Sequence, residues 1–358
     1  MPTEVRPTTT STTSAKPIDD RHPQPPSSTV RQSAPSDRRP DAGSLLSTTA
    51  LFLWLAYLVI VIALPEADLL RKGSTTPVTV LAGTWLIALI AWTLTARVRP
   101  ASSAARSLTH FLPWINAAGV WFIVWQLTTS KLGLLTPPYF AAPEVLIASF
   151  LGDWRLLLSC LGASALLFII GYTAGSVLGF FTGLLMGWSR RADYWFHPLL
   201  QTIGPVPAAS LLPLALLLIP TTYASAAFIV GFGAWFPMAT MTRAGVRSVR
   251  RDYIDMARTL GADELFLIRR VAVPSALPDM LTGLFTGLGT SLAALMTAEL
   301  TGVDKGLAWY INWVKGWADY PRMYVGLIIL VTFCRTLMVL LFKIRSSLLA
   351  WQQNLVRW

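Results

Sequence analysis

Apolar positions in this chain do not alternate or recur on one helical face. They come as long uncharged runs broken by short charged connections. Residues 45–64 and 75–96 carry no charge, and 157–188 is a longer run of the same kind. A membrane-crossing helix needs about 20 such residues, so the pattern predicts an all-α integral membrane protein. Eight spans are expected, at 45–64, 76–96, 110–130, 157–187, 196–220, 222–242, 277–299 and 322–342. The stretch from Tyr194 to Thr242 is too long for one span. Pro220-Thr221-Thr222 is the expected turn within it, because proline lacks a backbone donor and ends a helix. Gly204-Pro205-Val206-Pro207 interrupts the first half. Two readings of that interruption stand: a kinked start to an ordinary helix, or a break facing a neighbour or a pathway, where non-helical backbone is covered.

Residues 1–44 are rich in Pro, Ser, Thr and Arg and poor in large apolar side chains, a composition that reads as a disordered tail. The tail is too long and polar for the leading part of a secretory signal, so 45–64 is read as a retained span.

Composition agrees with the pattern. Of 358 residues, 54% are hydrophobic and 13% charged, against about 25% charged in soluble domains. The net charge of +11 would point to nucleic acid in a soluble protein. Here the positive-inside rule accounts for it. With the tail inside, the inner connections hold 15 basic residues and the outer ones 7. Both termini are therefore expected in the cytoplasm. Cys160 and Cys334 sit in apolar runs and read as packed thiols. No HExxH, GxSxG or Walker-type phosphate loop occurs, so any ATP is expected on another chain.

One inner connection stands out. Residues 243–276 form a charged insert with seven basic residues. Asp252 is placed to cap a helix through Ile254, Ala257 and Leu260. Gly261 then fits the left-handed residue that closes a helix. A second helical segment, 263–270, follows, and Pro274 and Pro278 mark entry into the next span. Ala257 and Gly261 are small enough for another backbone to approach. The same arginines also suit an amphipathic loop held to anionic lipid.

The spacing carries more than this. Asp255-Met256-Ala257, three residues, Gly261, nine residues, then Val271-Ala272-Val273-Pro274 resembles the signature of binding-protein-dependent ABC importer permeases: Glu-Ala-Ala, three residues, Gly, nine residues, Ile-x-Leu-Pro. Asp replaces Glu, Met the first Ala, and Val both Ile and Leu; the glycine and proline are kept. Pro143-Glu144-Val145, Leu184–Arg191, Pro205-Val206-Pro207 with Leu211-Leu212-Pro213, Ala244–Val249 and Ala257–Ala262 are similar to further segments of the family. They are closest to its nitrate/sulfonate/taurine/bicarbonate group.

The resemblance covers about 110–345. It implies a type I ABC importer permease core of six spans in the cytoplasmic (inner) membrane, with a coupling loop at 250–274. Two extra helices at 45–100 precede the core, and a tail at 346–358 follows it. It implies a homodimer of permeases on two ATP-binding subunits that hold ATP and magnesium, fed by an external solute-binding protein; this chain would bind no cofactor and no metal itself. Asp255, Met256, Ala257, Arg258, Gly261, Ala262 and Pro274 are the expected contacts to the ATPase. Asp255 and Arg258 are expected to pair with charges in its groove. Pro205, Pro207 and Glu299 are candidate pathway or gate residues, and Glu299 reads equally well as a cap on the outer loop. The expected cargo is a small anion, with a cationic or neutral compound such as a vitamin precursor as the alternative. A secondary transporter is disfavoured because the spans between 157 and 298 are nearly free of acidic residues, Asp279 near an inner end excepted, and a scaffold would not need the loop's spacing. Trp309, Trp313 and Trp317 would share one face of a short outer helix, as an interfacial belt or a ligand surface. Asn116 and Gln126 are expected to hydrogen-bond between helices.

Overall fold

The computed structural model describes residues 42–65, 75–98, 103–135, 137–204 and 206–349. Most of the expected tail at 1–44, and 350–358, lie outside the described residues. The described elements are helical. In chain order they are α1 (Ala42–Ala63), α2 (Thr76–Val98), α3 (Ser103–Gln126), α4 (Pro143–Trp188), α5 (Arg190–Ile203), α6 (Leu212–Leu218), α7 (Thr222–Arg247), α8 (Arg251–Thr259), α9 (Glu264–Phe266), α10 (Val273–Thr301), α11 (Leu307–Gly316) and α12 (Tyr320–Leu348). Seven described helical stretches are long and apolar enough to cross a membrane, and a bent pair makes up to eight.

Two spans differ from expectation. The one expected at 157–187 begins at Pro143 and runs 46 residues, about 69 Å at 1.5 Å per residue, more than twice the hydrocarbon thickness. Pro143 is a favourable first helical residue, and Asp153 does not interrupt the helix because its charge is used. Its carboxylate accepts from Tyr310 Oη at 2.8 Å and pairs with Arg322 at 3.2 Å. The one expected at 196–220 is broken. α5 and the Ala208–Leu218 segment meet at 91°. α5 opens on Arg190 and Arg191, and α6 has only seven residues, so neither crosses a bilayer as a straight rod. The close fit of Gly204 against Phe236 holds the bend: a Cβ there would lie 2.2 Å from the ring.

The centre of the fold is α7, clasped between α4 and α10. On α4, Gly171, Gly175, Gly179, Gly183 and Gly187 recur every fourth residue and present bare backbone to α7. A Cβ on Gly175 would come 1.9 Å from the Gly231 carbonyl oxygen, and one on Gly183 2.4 Å from that of Ala239. On the other side, Gly283 and Gly287 of α10 lie against Pro237 and Ala234. Small residues of this kind let helices pack backbone to backbone where no hydrophobic driving force separates protein from lipid. Hydroxyls then bridge the gaps. Ser291 Oγ donates to the Val230 carbonyl at 2.9 Å, Thr290 Oγ1 to Gly233 at 2.6 Å, and Tyr172 Oη to Leu284 at 2.8 Å.

α1, α2 and α3 form a second cluster around Trp54, Tyr57, Leu86, Leu89 and Leu112. The expected first core span therefore shares its packing with the two extra helices. Asn116 of α3 donates to Thr49 Oγ1 of α1 at 3.1 Å, and Gln126 to the buried Glu144 of α4 at 3.1 Å, so both amides bond between helices as expected. Ser130 also donates to Glu144, at 2.5 Å. Cys160 and Cys334 are free thiols, Cys160 fully buried.

Gly175→Ala is expected to lower the thermal unfolding midpoint of the detergent-solubilised chain, by the 1–3 kcal/mol or so typical of overpacking. Gly289→Ala, which meets nothing within 4 Å, serves as the matched control. Equal midpoints for the two variants would refute the backbone-contact account of the α4–α7 clasp.

Candidate functional site

The inner loop is built as expected in outline and differently in detail. α8 starts at Arg251 with Arg250 as its N-cap. Asp252 is not the cap: the helix begins before it, and its carboxylate pairs with Arg250 at 2.8 Å. At the other end the Gly261 N–H bonds to the Arg258 carbonyl at 2.9 Å and the Ala262 N–H to that of Ala257 at 3.0 Å. This paired closure needs a left-handed residue after the cap, and Gly261 has φ +85°. A Cβ there would meet nothing within 4 Å, so glycine answers to the backbone conformation and leaves that side open. Asp263 caps the next helix, accepting from the Phe266 N–H at 2.8 Å. The expected separate segment 263–270 does not end. It passes through a π-helical turn, Leu267–Ala272, into α10, and Pro274 follows two residues after that turn.

α8 rests on its own protein through half-buried Ile254 and Ala257, and none of its residues is buried. Arg251, Ile254, Asp255 and Arg258 line an open groove beside the ends of α4 and α7. Tyr253, Met256 and Leu260, spaced as one helical stripe, point outward at 52%, 64% and 87% exposure. Asp255 and Arg258, expected to reach a partner's groove, are both exposed, and Arg258 pairs with Glu264 at 2.9 Å. Glu264 also accepts from Trp188 Nε1 at 3.1 Å, tying α8 to the end of α4. Ala257 and Ala262 are half-buried. Tyr253 and Leu260 were not among the expected site residues. Their signal was legible, as three large apolar residues at i, i+3 and i+7 in a segment otherwise charged.

The loop is anchored from below. Arg243 and Arg247, one turn apart on α7, clasp Asp193 in the first turn of α5 at 2.5 and 2.6 Å. The hydrogen bond from Arg243, joined by both arginines' charges, holds the Asp193 carboxyl below the usual carboxylate range.

At the far end, Glu299 is 1% exposed. One carboxylate oxygen accepts from Ser164 Oγ at 2.5 Å, the other from the Ala308 N–H at 2.9 Å. Ser164 Oγ in turn accepts from the Leu307 N–H at 2.8 Å. Glu299 and Ser164 thus satisfy the start of α11 and join α10, α4 and the outer loop. A carboxylate at a helix N-terminus is favoured by the macrodipole. Gly306 makes the contact possible, since a Cβ there would lie 2.3 Å from Glu299 Cδ. All these partners lie within the chain, so the carboxylate acts as a loop cap. Trp309 and Trp313 of α11 stack with parallel rings at 5.9 Å, while Trp317 lies past the helix end. Pro205 lies outside the described residues; Pro207 caps the 3₁₀ turn Ala208–Leu211 beside the bend. The structure does not bring Pro207, Glu299 and the inner loop together.

Residues 175–350 match the family described as "Binding-protein-dependent transport system inner membrane component". Among curated proteins, the chain is 29% identical to the "Putative aliphatic sulfonates transport permease protein SsuC" of Escherichia coli (strain K12), over 49% of this chain and 67% of that one. It is 27% identical to the "Formylaminopyrimidine transport permease protein ThiX" of Halalkalibacterium halodurans, over 43% and 62%. It is 25% identical to the "Nitrate import permease protein NrtB" of Synechococcus elongatus, over 51% and 72%. These matches span about two thirds of the relatives' own lengths. A solved chain titled "Crystal structure of an amino acid ABC transporter with histidines" aligns at a TM-score of 0.46 and 18% identity, over 58% of this chain and 97% of that one.

Glu299→Ala is expected to destabilise the chain by about 2–4 kcal/mol, because it strands the Ser164 hydroxyl and the Ala308 N–H in a buried site. Limited proteolysis should then cut first within 302–319. Unchanged thermal stability and an unchanged cleavage pattern would show that the carboxylate does not cap α11.

Proposed function

We propose that the chain, whose residues 175–350 match the inner membrane components of binding-protein-dependent transport systems, is the permease subunit of an ATP-driven importer. The observation that carries the reading furthest is the exposed apolar ridge Tyr253–Met256–Leu260 on a helix that packs on its own protein only through half-buried Ile254 and Ala257. A soluble loop gains nothing by exposing those side chains; a docking helix does. In this reading α8 seats in a groove of an ATP-binding subunit, which holds ATP and magnesium. Arg258 helps set the helix's position through Glu264, and Asp255 stands exposed beside it for a charge of the partner. Gly261 and Ala262 close it, and Pro274 leads its motion into α10. Docking can shift the permease between its states only by as much as it favours one of them.

Two copies of the chain on two ATPase subunits, with an external solute-binding protein, complete the proposed assembly in the cytoplasmic membrane. Both termini lie inside, as the excess of basic residues in the inner connections supports. The path runs between the copies along α4, α7 and α10, with the bend at Gly204–Pro207 beside it.

The proposed cargo is a small anion of the nitrate or sulfonate kind, as the names of two relatives support. A neutral or cationic cargo is the second reading. It is favoured by the formylaminopyrimidine relative and by a face of α10 bearing Thr282, Thr286, Thr290, Thr297 and Thr301, hydroxyls rather than basic groups. Binding of candidate compounds by the cognate solute-binding protein separates the two.

Met256→Glu/Leu260→Glu is expected to abolish ATP-dependent uptake in reconstituted vesicles and to prevent co-purification of the ATPase, with membrane insertion intact. Full uptake and normal co-purification in that double variant would sink the docking role of α8.

A further inference from the structure

The α1–α3 cluster meets the rest of the chain at the start of α4, and a cleft lies on each side of that start. One, of about 720 Å³, is walled by Trp121 and Trp125 of α3, by Phe140, and by Tyr324 and Val331 of α12. The other, of about 640 Å³, is walled by Val80 and Leu81 of α2, by Ile147 and Phe150 of α4, and by Val325 and Ile329 of α12. Leu146 and Ile328 line both, so the two clefts share one ridge. Each volume is in the range of small-ligand sites. Direct ties across the joint lie beside the ridge, where Gln126 donates to Glu144 at 3.1 Å and Trp125 Nε1 to the Ala141 carbonyl at 3.0 Å.

Water, a partner's helix and a lipid chain are the kinds of occupant open to an apolar cleft between membrane spans. Water needs two to four polar partners, and the hydroxyls of the first cleft are spent. Thr128, Thr129 and Thr332 donate to carbonyls one turn back, and Tyr324 Oη to the Tyr139 carbonyl. A partner's spanning helix would need a face running through the whole hydrocarbon layer, about 30 Å. The first cleft reaches only from Tyr324 to Thr332 on α12, and from Trp121 to Thr129 on α3 and the turn that extends it. That is about 12 Å on each wall, the depth of a single leaflet. α2, α4 and α12 begin at this end of the bundle and α3 ends there, so both clefts open toward the same membrane surface. Among the described residues no charged side chain lines either one. Basic groups of the adjoining turns are engaged elsewhere, Lys131 on the Leu64 carbonyl at 2.6 Å and Arg322 on Asp153 at 3.2 Å.

We propose that the paired clefts bind one diacyl lipid astride the Leu146–Ile328 ridge, one chain in each cleft, and that the lipid is recognised by its chains and not by its headgroup. Two chains joined at one glycerol and entering from one surface match two clefts that share a wall and open toward one surface. Removal from water does not hold a chain there, since bilayer and cleft are equally apolar. Close packing against walls that stay in place does. The lipid fills the joint between the α1–α3 cluster and α12 where protein atoms do not meet. The site requires only that the chain spans a membrane, and it stands whether or not α8 docks an ATPase.

The test is native mass spectrometry of the purified full chain in detergent, with diacyl phosphatidylcholine, diacyl phosphatidylglycerol and lysophosphatidylcholine as probes. The wild-type chain should retain the two diacyl lipids alike and the single-chain lipid at least about tenfold less. Leu146→Trp/Ile328→Trp fills both clefts from the shared ridge and should weaken diacyl retention at least about tenfold. Phe52→Trp/Ile62→Trp, at exposed positions of α1 outside both clefts, should leave it within about twofold. Thermal unfolding of each variant separates lost binding from lost fold. Val80→Trp/Val331→Trp, which fills the clefts from their other walls, replaces the first variant where that one does not fold. Equal retention of the single-chain lipid, a preference for phosphatidylglycerol, equal loss in filled and control variants, or no lipid on the wild-type chain overturns the proposal. A filled variant that loses self-association and keeps its lipid overturns it too, and assigns the clefts to a second copy of the chain.

Discussion

The contact on which the rest of the structure depends is backbone against backbone between α4 and α7. Five glycines one turn apart on α4 leave α7 nowhere else to lie, and α10 closes on it from the other side through Gly283 and Gly287. Inside a bilayer, apolar side chains gain little by meeting one another, because lipid is as apolar as they are. What remains is close van der Waals fit, and hydroxyls that find carbonyls across the gap. Ser291 and Thr290 do so on α7. The helices that bear the inner loop are held at fixed separation by that fit, so the loop inherits its position from residues that have no side chain.

The loop helix carries more apolar surface than its own protein covers. α8 half-buries Ile254 and Ala257 and leaves Tyr253, Met256 and Leu260 outside. Solvent is a poor resting place for such a stripe, and the proposed docking of α8 answers to it. Arg258, Glu264 and Trp188 tie the helix to the end of α4.

Much of this was legible in the residues. Uncharged runs located the spans, and the Asp255–Pro274 spacing located the loop and its left-handed glycine. The failures have physical causes. Asp252 looks like a cap in isolation, but the neighbouring arginine takes its carboxylate. The start of α4 was hidden because Asp153 and Arg155 mimic a loop, although Asp153 is satisfied by Tyr310 and Arg322, residues far away in sequence. The break at Gly204–Pro207 was visible, whereas its right angle depends on Phe236 pressing on Gly204, which no local pattern encodes. The glycine ladder of α4 was written in the sequence at a regular spacing, but its meaning required the partner helix. The polar knot at Glu299 likewise needed Ser164, 135 positions away.

From Glu264 to Thr301 the chain is one helical rod of 38 residues. Its inner end carries the carboxylate that grips Arg258 and Trp188, and its outer end carries the one that grips Ser164 and the start of α11. The inner loop and the tryptophan-bearing helix α11 therefore share one helix as their common attachment.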